Sequence, residues 1–406
     1  MKINKWTVGL AALGLVTLAP ALVAQTATQQ NTPLLTALSA TTISGYVDTS
    51  AVWNPGTGNA NPAPYAFNAG KQDGFNIDAI DIKLSKAIET GKWSAGYVAE
   101  LNYGPDATGI DGGSAPIRQA YVDLGVPIGN GLELKMGRWD NLLGYETSDS
   151  MNNPNWSRSY GYSFEPTEHT GLLASYQFAS WLGLQVGAAD TLTTTVVNGK
   201  AITPPQVESK KTIVSLLTLT APDSWGFLKG SALYGGFDHG QGVYGADTTE
   251  FYVGATINTP VTGLTLGGSW DSVQSVVTGS AVAGPAAGAP IDGGYLQAIA
   301  GYASYKLTDK ATINGRFEYA DGSALSSAEV AANSTAFNTV PYGTLDKVIA
   351  VTGTLKYDLW ANVISRLEVR WDHNAGGTGP AFGGTVGGLP TKNNEIMIAA
   401  NVIYKF

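Results

Sequence analysis

The last twelve residues of the chain, EIMIAANVIYKF (395–406), alternate between two sets of side chains. One face of this segment carries Ile396, Ile398, Ala400, Val402, Tyr404 and Phe406. The opposite face carries Glu395, Met397, Ala399, Asn401 and Lys405. A two-residue period of this kind is typical of a β-strand with an apolar phase on one side and water on the other. The segment therefore predicts a strand that separates these two environments.

Similar alternation recurs along most of the chain. From it we predict sixteen strands, at 41–53, 75–88, 93–104, 115–128, 132–143, 167–178, 181–192, 211–222, 227–239, 248–260, 264–276, 293–307, 311–322, 346–359, 362–374 and 392–406. Within 75–88 the apolar phase slips from Ile77 and Ala79 to Ile80 and Ile82. Such a slip predicts a β-bulge in this strand.

The connections between the predicted strands alternate between short and long. The short ones, such as 89–92, 129–131 and 360–361, suit hairpin turns. The long ones are 54–74, 105–114, 144–166, 193–210, 240–247, 277–292, 323–345 and 375–391. Outer-membrane barrels have this layout, with short periplasmic turns at one end and longer external loops at the other.

A bilayer gives this pattern a physical reason. Inside hydrocarbon every backbone N–H and C=O needs a partner within the protein, so only helices and closed barrels can span it. A strand crosses in about 9–11 residues. Aromatic residues near the strand ends are expected to form interfacial girdles: Tyr46, Trp53, Trp93, Tyr103, Trp139, Trp181, Trp371 and Tyr404. We predict an all-β fold, a transmembrane antiparallel up-and-down β-barrel of sixteen strands. A secreted β-sandwich or β-propeller is the alternative.

Composition narrows the class of protein. Only 14% of the 406 residues are charged, against about 25% in a soluble domain. The absence of cysteine excludes disulfides, zinc–thiolate sites and a cysteine nucleophile. The net charge of −9 argues against nucleic acid as a partner. Residues 1–24 have the basic start, apolar run and small terminal residue of a cleaved signal peptide. We predict a linker at 25–40 and one barrel domain at 41–406.

Distinctive motifs are concentrated between residues 117 and 171. They are IRQAYV (117–122), MGRW (136–139), GYE (144–146), NNPNWSRSY (152–160), Pro166 and HTG (169–171). This region resembles the OmpL-like group of outer-membrane β-barrel porins. The resemblance implies a diffusion channel in a Gram-negative outer membrane and gives little about its substrate. The terminal Phe406 is similar to the C-terminal assembly signal of such proteins.

The predicted loop 144–166 is the third long one and is rich in Asn, Ser, Tyr and Gly. Folded inward, it would narrow the pore and orient polar solutes. Alternatively, its charged groups only anchor it to the wall through charge-assisted hydrogen bonds. The candidate residues for either role are Arg118, Arg138, Glu146, Arg158, Glu165, His169, Arg316, Arg366 and Arg370. We favour anchoring for His169 over a role as general base.

Other charged residues are expected on the inner wall, mostly as a solvated surface with cross-strand ion pairs. They are Glu100, Arg118 or Asp123, Glu133, Lys135, Glu318, Glu368 and Asp372. Arg316, Arg366 and Arg370 could form a basic ladder opposite acidic loop residues. The long loops sum to about −6, a slight preference for cations at the mouth, and the wall contains both signs.

No catalytic motif is found. The histidines are His169, His239 and His373, and the chain has no G-x-S-x-G, P-loop or dinucleotide fingerprint. We therefore predict an outer-membrane porin for passive diffusion of small hydrophilic solutes, with no enzymatic activity, cofactor or metal. Its partners would be lipid, solutes or ions and, by analogy, two further copies in a homotrimer. The alternatives are a secreted or surface β-protein that binds carbohydrate, and an outer-membrane barrel with a non-channel role.

Overall fold

The computed structural model describes residues 40–56, 71, 73–106, 116–190, 192, 211–241, 247–276, 295–322, 347–376, 379–384 and 390–406. In this part of the chain sixteen strands form one closed antiparallel barrel. They are β1 (Thr42–Trp53), β2 (Gly74–Lys86), β3 (Ser94–Tyr103), β4 (Ile117–Val126), β5 (Leu132–Asp140), β6 (Glu168–Ala179), β7 (Leu182–Ala189), β8 (Thr212–Thr220), β9 (Ala232–Gln241), β10 (Asp247–Asn258), β11 (Leu264–Val276), β12 (Tyr295–Lys306), β13 (Ala311–Gly322), β14 (Lys347–Trp360), β15 (Val363–Asn374) and β16 (Asn394–Lys405). The predicted fold is confirmed. The predicted signal peptide and linker lie outside the described residues, apart from residue 40.

The barrel closes between the first and the last strand. Each strand pairs with its neighbours in sequence, and β1 also pairs with β16, with Val47 opposite Tyr404. Gly45 and Phe406 exchange backbone hydrogen bonds of 3.1 and 3.0 Å beyond the end of β16. Closure leaves the sheet without a free edge, which is the condition for a sheet to lie in hydrocarbon. The alternative fold, a sandwich or propeller, is therefore wrong.

The two faces of the wall differ as the alternation predicts. On β13 the side chains of Arg316 and Glu318 are 2% and 1% exposed, whereas Phe317 between them is 54% exposed. On β15 Arg366 is buried and Leu367 is exposed. The outer face is thus apolar and suits lipid, while polar and charged residues point into the barrel.

Two β-bulges place consecutive residues on the inner face. In β2, Asp48 of β1 pairs with Ala79 and the next residue pairs with Ile77, so Asp78 is left over. This is the bulge that the slipped phase predicts. In β4 the register against β3 skips Arg118 in the same way. The sequence left open whether Arg118 or Asp123 faces the interior. Because of the second bulge, both are buried inside the barrel.

Two residues of the predicted aromatic girdle do not belong to it. Tyr46 and Trp139 are only 1% and 2% exposed and face the interior. Tyr46 shares the inward phase of Asp48. At Trp139 the alternation is interrupted, because Gly137 has a φ of 138° and Arg138 is buried as well. The other girdle residues are on the outer face: Trp53, Trp93, Tyr103, Trp181, Trp371 and Tyr404.

Most strand boundaries lie within three residues of the prediction, and two of the differences have a local explanation. Strand β9 begins at Ala232 instead of residue 227, because Asp223–Leu228 forms a 3₁₀ helix that turns at Gly226, where φ is 60°. Strand β5 ends at Asp140 instead of residue 143, and Leu143 turns into the interior. Among the described residues, no helix is both long enough and apolar enough to cross a membrane.

Candidate functional site

The chain between β5 and β6 (residues 141–167, the β5–β6 loop) is internally ordered. It contains a 3₁₀ turn, Ser150–Asn152, whose N-terminus is capped by the Asp149 side chain. It also contains a short helix α1, Tyr160–Phe164, capped by the Ser159 hydroxyl, which accepts from the Tyr162 N–H. The Asn153 side chain accepts a hydrogen bond from the Thr147 N–H at 2.9 Å and donates one to the Thr147 carbonyl at 2.7 Å. These local bonds give the loop a defined shape of its own.

The loop reaches inward-facing side chains on the opposite side of the barrel. Backbone N–H groups of Trp156 and Ser157 donate to the Glu368 carboxylate at 2.6 and 3.0 Å. The Tyr160 N–H donates to Glu318 at 2.6 Å, and its hydroxyl donates to Asp372 at 2.9 Å. Since β13 lies eight strands from β5 in the sixteen-strand order, the loop crosses the interior of the barrel.

Three arginines of the same wall also donate hydrogen bonds to this stretch of the loop. Arg316 bonds Glu146 and Glu318 at 2.6 Å each and the Ser157 carbonyl at 2.9 Å. Arg370 donates to the Arg158 carbonyl at 2.6 Å. We call Arg316, Arg366 and Arg370 the arginine clamp.

The third member of the clamp, Arg366, donates to the Asn153 and Asn155 carbonyls at 3.1 and 2.8 Å. The predicted basic ladder therefore exists, but it faces mainly backbone carbonyls. Glu146 is its only acidic partner from the loop among the described residues. The carbonyl oxygens of a loop that take part in no helix or strand need other donors, and the clamp supplies them here.

Arg158 and Glu146 serve the loop itself. The Arg158 guanidinium donates to the carbonyls of Thr147 and Trp156 at 3.0 and 2.9 Å. It also lies over the Tyr162 ring, 5.7 Å from its centroid. Glu146 accepts from the Ser159 N–H at 2.6 Å. Both residues are almost fully buried, and Glu146 also pairs with Arg316 of the wall.

Apolar packing covers the loop on the β11–β16 side. Trp156 and Tyr160 belong to a buried cluster with residues of that wall and with Phe382, which follows β15. Tyr145 stacks on Tyr302 of β12 with ring centroids 3.9 Å apart. Close packing of this kind excludes water from this half of the interior.

A second charged group lies at the root of the loop. Arg118 bonds Glu100 at 2.7 Å and Asp140 at 2.9 Å, and Lys83 bonds Glu100 at 3.0 Å. Arg138 bonds Glu168 at 3.1 Å. Here some charged side chains remain in contact with water. Lys83 is 23% exposed, Glu133 30% and Asp140 36%.

The tip of the β5–β6 loop faces this group. Asn152 at the tip is exposed. Removal from water and the nearby Glu100 carboxylate raise the pKa of Asp149, while Arg118 and Lys83 oppose that rise. Glu100, Arg118 and Lys83 belong to the wall of β2–β4, so the tip lies close to this wall, and Met151 beside it packs against the buried cluster of Tyr46 and Ala79.

His169 and Glu165 lie on the remaining side. His169 Nε2 is 3.0 Å from Asp238 of β9 and 3.2 Å from the Asn141 side chain, and the His169 ring is fully buried. This geometry is consistent with the predicted anchoring role. Glu165 follows α1 and lies beside Glu250 and Asp271.

Several inward carboxylates were not among the predicted candidates: Asp78, Glu168, Asp238, Glu250 and Asp271. For Asp238, Glu250 and Asp271 the inward phase of the strand was the available signal, whereas Asp78 lies at a bulge and Glu168 is out of phase with the inward His169. Asp238 in particular was interpreted as an ordinary polar strand end, although it is the partner of His169.

Comparison with known proteins gives a family and a fold. A model of the family "Putative beta-barrel porin-2, OmpL-like" matches residues 40–406. No curated protein matches the chain by sequence. An anion-selective porin from Comamonas acidovorans has a similar structure, with a TM-score of 0.60, 13% identity, and coverage of 90% of this chain and 99% of that one.

Two other solved structures are similar over the same share of the chain. The outer-membrane channel DcaP of Acinetobacter baumannii has a TM-score of 0.55 and 12% identity, with 90% of this chain and 97% of that one covered. The trimer form of OmpT, an outer-membrane protein of Vibrio cholerae, has a TM-score of 0.52 and 11% identity, with 90% and 99% covered. At these identities the likeness concerns the fold.

Proposed function

We propose, since this chain belongs to the OmpL-like family of β-barrel porins, that its β5–β6 loop narrows a channel for small hydrophilic solutes. The chain is an outer-membrane porin, and its family and fold are those of channels without enzymatic chemistry. A barrel of sixteen strands is wide enough to leave an aqueous passage. What fills part of that passage then decides which solutes cross.

The contacts of the loop support a narrowing on one side. The arginine clamp and the carboxylates of Glu318, Glu368 and Asp372 hold the loop against β13–β15. The apolar cluster around Trp156 and Phe382 adds a layer that water does not enter. Solutes would therefore pass on the other side of the loop.

The wall of β2–β5 supports the position of that passage, and its exposed charges are the observation that carries the proposal. Lys83 and Asp140 keep 23% and 36% of their side-chain surface in water. Glu133, which is 30% exposed, lies near the other end of β5, next to the turn at 129–131. Asp149 and Asn152 of the loop face the same wall. Charges of both signs across a narrow opening would orient a dipolar solute, as charged rings do in other channels.

Single-channel recording in planar bilayers with asymmetric salt tests this position. Asp149→Asn keeps the cap of the 3₁₀ turn and removes one negative charge. We therefore expect the reversal potential to show a greater preference for anions. Lys83→Met should shift it toward cations. Two charges about 4 Å apart in water interact by about 1 kcal/mol, which corresponds to roughly a fivefold change in permeability ratio. Lys92→Met, on an exposed turn, is the control. Unchanged selectivity in both test variants would contradict the proposed opening.

A disulfide tests whether the loop lies inside the barrel. The chain has no cysteine, and Asn155 and Thr354 bond through their side chains at 2.7 Å. The double variant Asn155→Cys, Thr354→Cys should therefore form an internal disulfide with little change in conductance. Single variants serve as controls. If no disulfide forms under oxidation, or if it forms and closes the channel, the loop does not rest where we propose.

Export and assembly complete the proposal. We propose that residues 1–24 are removed as a signal peptide on the way to the outer membrane, which mass spectrometry of the mature protein tests directly. We also propose a homotrimer, supported by the OmpT trimer. Light scattering in detergent would give the mass of one barrel if this is wrong.

A further inference from the structure

Three carboxylates meet where the end of the β5–β6 loop touches the wall. They belong to Glu165 after helix α1, Glu250 on β10 and Asp271 on β11, and one oxygen of each lies within 4.8 Å of the others. Glycines bring the backbone close to this group. A Cβ on Gly144 would collide with Glu165 Oε2, and one on Gly161 would collide with Asp271 Oδ2.

The carboxylates of the wall have no partner that would balance their charge. Glu250 and Asp271 are each 1% exposed. Both oxygens of Glu250 and Oδ1 of Asp271 are buried without a hydrogen-bond partner among the described residues. A buried ionised carboxylate is costly unless a cation or several donors compensate it. Glu250 therefore points, unsatisfied, into the group it shares with Glu165 and Asp271.

The surroundings do not supply a basic side chain. The charged neighbours of Glu250 are Asp238 and Asp271, both acidic. The further charge that acts on Asp271 is Glu146. Asp238 and Glu146 each have a partner of their own, in His169 and Arg316. Within the described part of the chain, no Lys or Arg forms an ion pair with any of the three carboxylates, so a bound cation would supply the charge that these residues lack.

We propose that Glu165, Glu250 and Asp271 bind one Ca²⁺ ion, which ties the end of the β5–β6 loop to the β10–β11 wall. Calcium takes oxygen ligands at about 2.3–2.6 Å, and two oxygens that share an ion at about 2.4 Å lie at most about 4.8 Å apart. Three carboxylates offer up to six oxygens, and water in the lumen can supply the rest. Zinc prefers nitrogen and sulfur ligands, which this group lacks.

Such an ion would act on the loop at a place that the arginine clamp does not reach. Binding of the ion depends only on the three carboxylates and does not require the loop to narrow the channel. If the proposed function is also correct, removal of calcium frees the loop end beside α1 while the clamp keeps the middle in place. We then expect more frequent conductance fluctuations in a chelator, with the open level retained.

Calcium binding to the full-length protein in detergent tests the site. Isothermal titration with Ca²⁺ gives stoichiometry and affinity, and Tb³⁺ luminescence excited through nearby tyrosines such as Tyr252 reports the location. We expect one ion per chain and a loss of affinity of at least tenfold in Glu250→Gln. Glu89→Gln, which removes an exposed carboxylate on a turn, should bind as the wild type does.

The result that overturns the proposal is a wild-type protein that binds no Ca²⁺ at millimolar concentration, or a Glu250→Gln variant that binds it equally well. Asp271→Asn gives a second variant in case the first does not fold. The wild type also allows a test without substitution, because protons compete for the same oxygens. Calcium affinity that does not fall between pH 7 and pH 5 contradicts the site. If the protein forms an active channel but binds no calcium, the calcium site is contradicted and the proposed function stands.

Discussion

The β13–β15 wall and the β10–β11 wall hold the same loop in opposite ways. On the first, the arginine clamp and three carboxylates are all engaged, with Arg316 between Glu146 and Glu318 at 2.6 Å from each. On the second, Glu250 and Asp271 are equally buried but have no basic partner among the described residues. On the first wall Arg316 and Arg370 are paired with carboxylates of the protein, and Arg366 bonds loop carbonyls with one nitrogen left without a partner in the described part of the chain. The second wall has no such pairs among the described residues and depends on what the solution supplies.

This difference suggests a division of roles along the loop. Buried ion pairs such as those of Arg316 resist partial opening, because each broken pair leaves a charge without compensation. A group of carboxylates without a base responds to ions and protons. We therefore expect the centre of the β5–β6 loop to stay fixed under all conditions and its end at Glu165 to respond to calcium and pH.

The largest effect is expected at the centre of the clamp. Arg316→Met removes the partner of Glu146 and Glu318, and it should lower the free energy of unfolding by about 3–5 kcal/mol, the usual cost of breaking a buried ion pair. Urea unfolding followed by tryptophan fluorescence measures this. Lys306→Met, which loses only the exposed pair with Asp309, should show no measurable change. Equal stability of the two variants would mean that the clamp does not hold the loop.

A smaller loss is expected at Glu368, which accepts the N–H groups of Trp156 and Ser157. In Glu368→Gln one acceptor oxygen becomes an NH₂ group, so one buried donor faces another donor. A buried unsatisfied group costs about 1–3 kcal/mol. The same unfolding assay applies, with Glu89→Gln as the control. If both variants unfold at the same urea concentration, the loop is not bound through these backbone groups.

A single hydroxyl tests the edge of the same contact. Tyr160→Phe loses the bond to Asp372 at 2.9 Å but keeps the ring in the apolar cluster and near Arg370. The expected loss is about 1 kcal/mol. Tyr295→Phe, whose hydroxyl bonds Asp321 at the exposed rim at 3.1 Å, should lose less. Both variants remove a hydrogen bond to a carboxylate, so the difference between their losses of stability measures the effect of burial.

The sequence predicted the barrel well because alternation is a direct record of which face meets lipid. The same rule explains the errors in the girdle. Tyr46 was placed there by residue type, although its phase with Asp48 indicates the interior. The bulge at Arg118 was missed, although the apolar phase changes from Ile117 to Ala120 and Val122 across it. Phase, where it is clear, is therefore a better guide than residue type.

The site was predictable only in part. Motifs and inward phase gave the arginine clamp, but not its partners, since Arg316 and Glu146 are 170 residues apart. Glu250 and Asp271 form a group with Glu165 only because two neighbouring strands meet the loop end. No local pattern marks that group, and for this reason the sequence predicted no metal. Contacts between a loop and a distant wall depend on the path of the loop, which periodicity does not encode.

The smallest effect that distinguishes the two walls is expected when the pH is changed in the presence of a chelator. Removal from water and the adjacent Asp271 and Glu250 carboxylates hold the pKa of Glu165 well above its usual value. The folded protein then keeps a proton that the unfolded chain releases, so stability is present at low pH and is lost as the pH rises above about 4.5. The slope is at most about 1.4 kcal/mol per pH unit for one group. Glu165→Gln should flatten it, and saturating calcium should offset the loss at neutral pH.

The clamp predicts no such dependence in this range, because its three members are arginines, which stay charged. An Arg316→Met protein that still folds should therefore keep the slope while losing stability at every pH, and Glu165→Gln should do the reverse. If the slope survives at full strength in Glu165→Gln and also in Glu250→Gln and Asp271→Asn, a carboxylate outside this group titrates in their place. The acidic wall would then not be the responsive end of the loop, and the contrast between the two walls would fail.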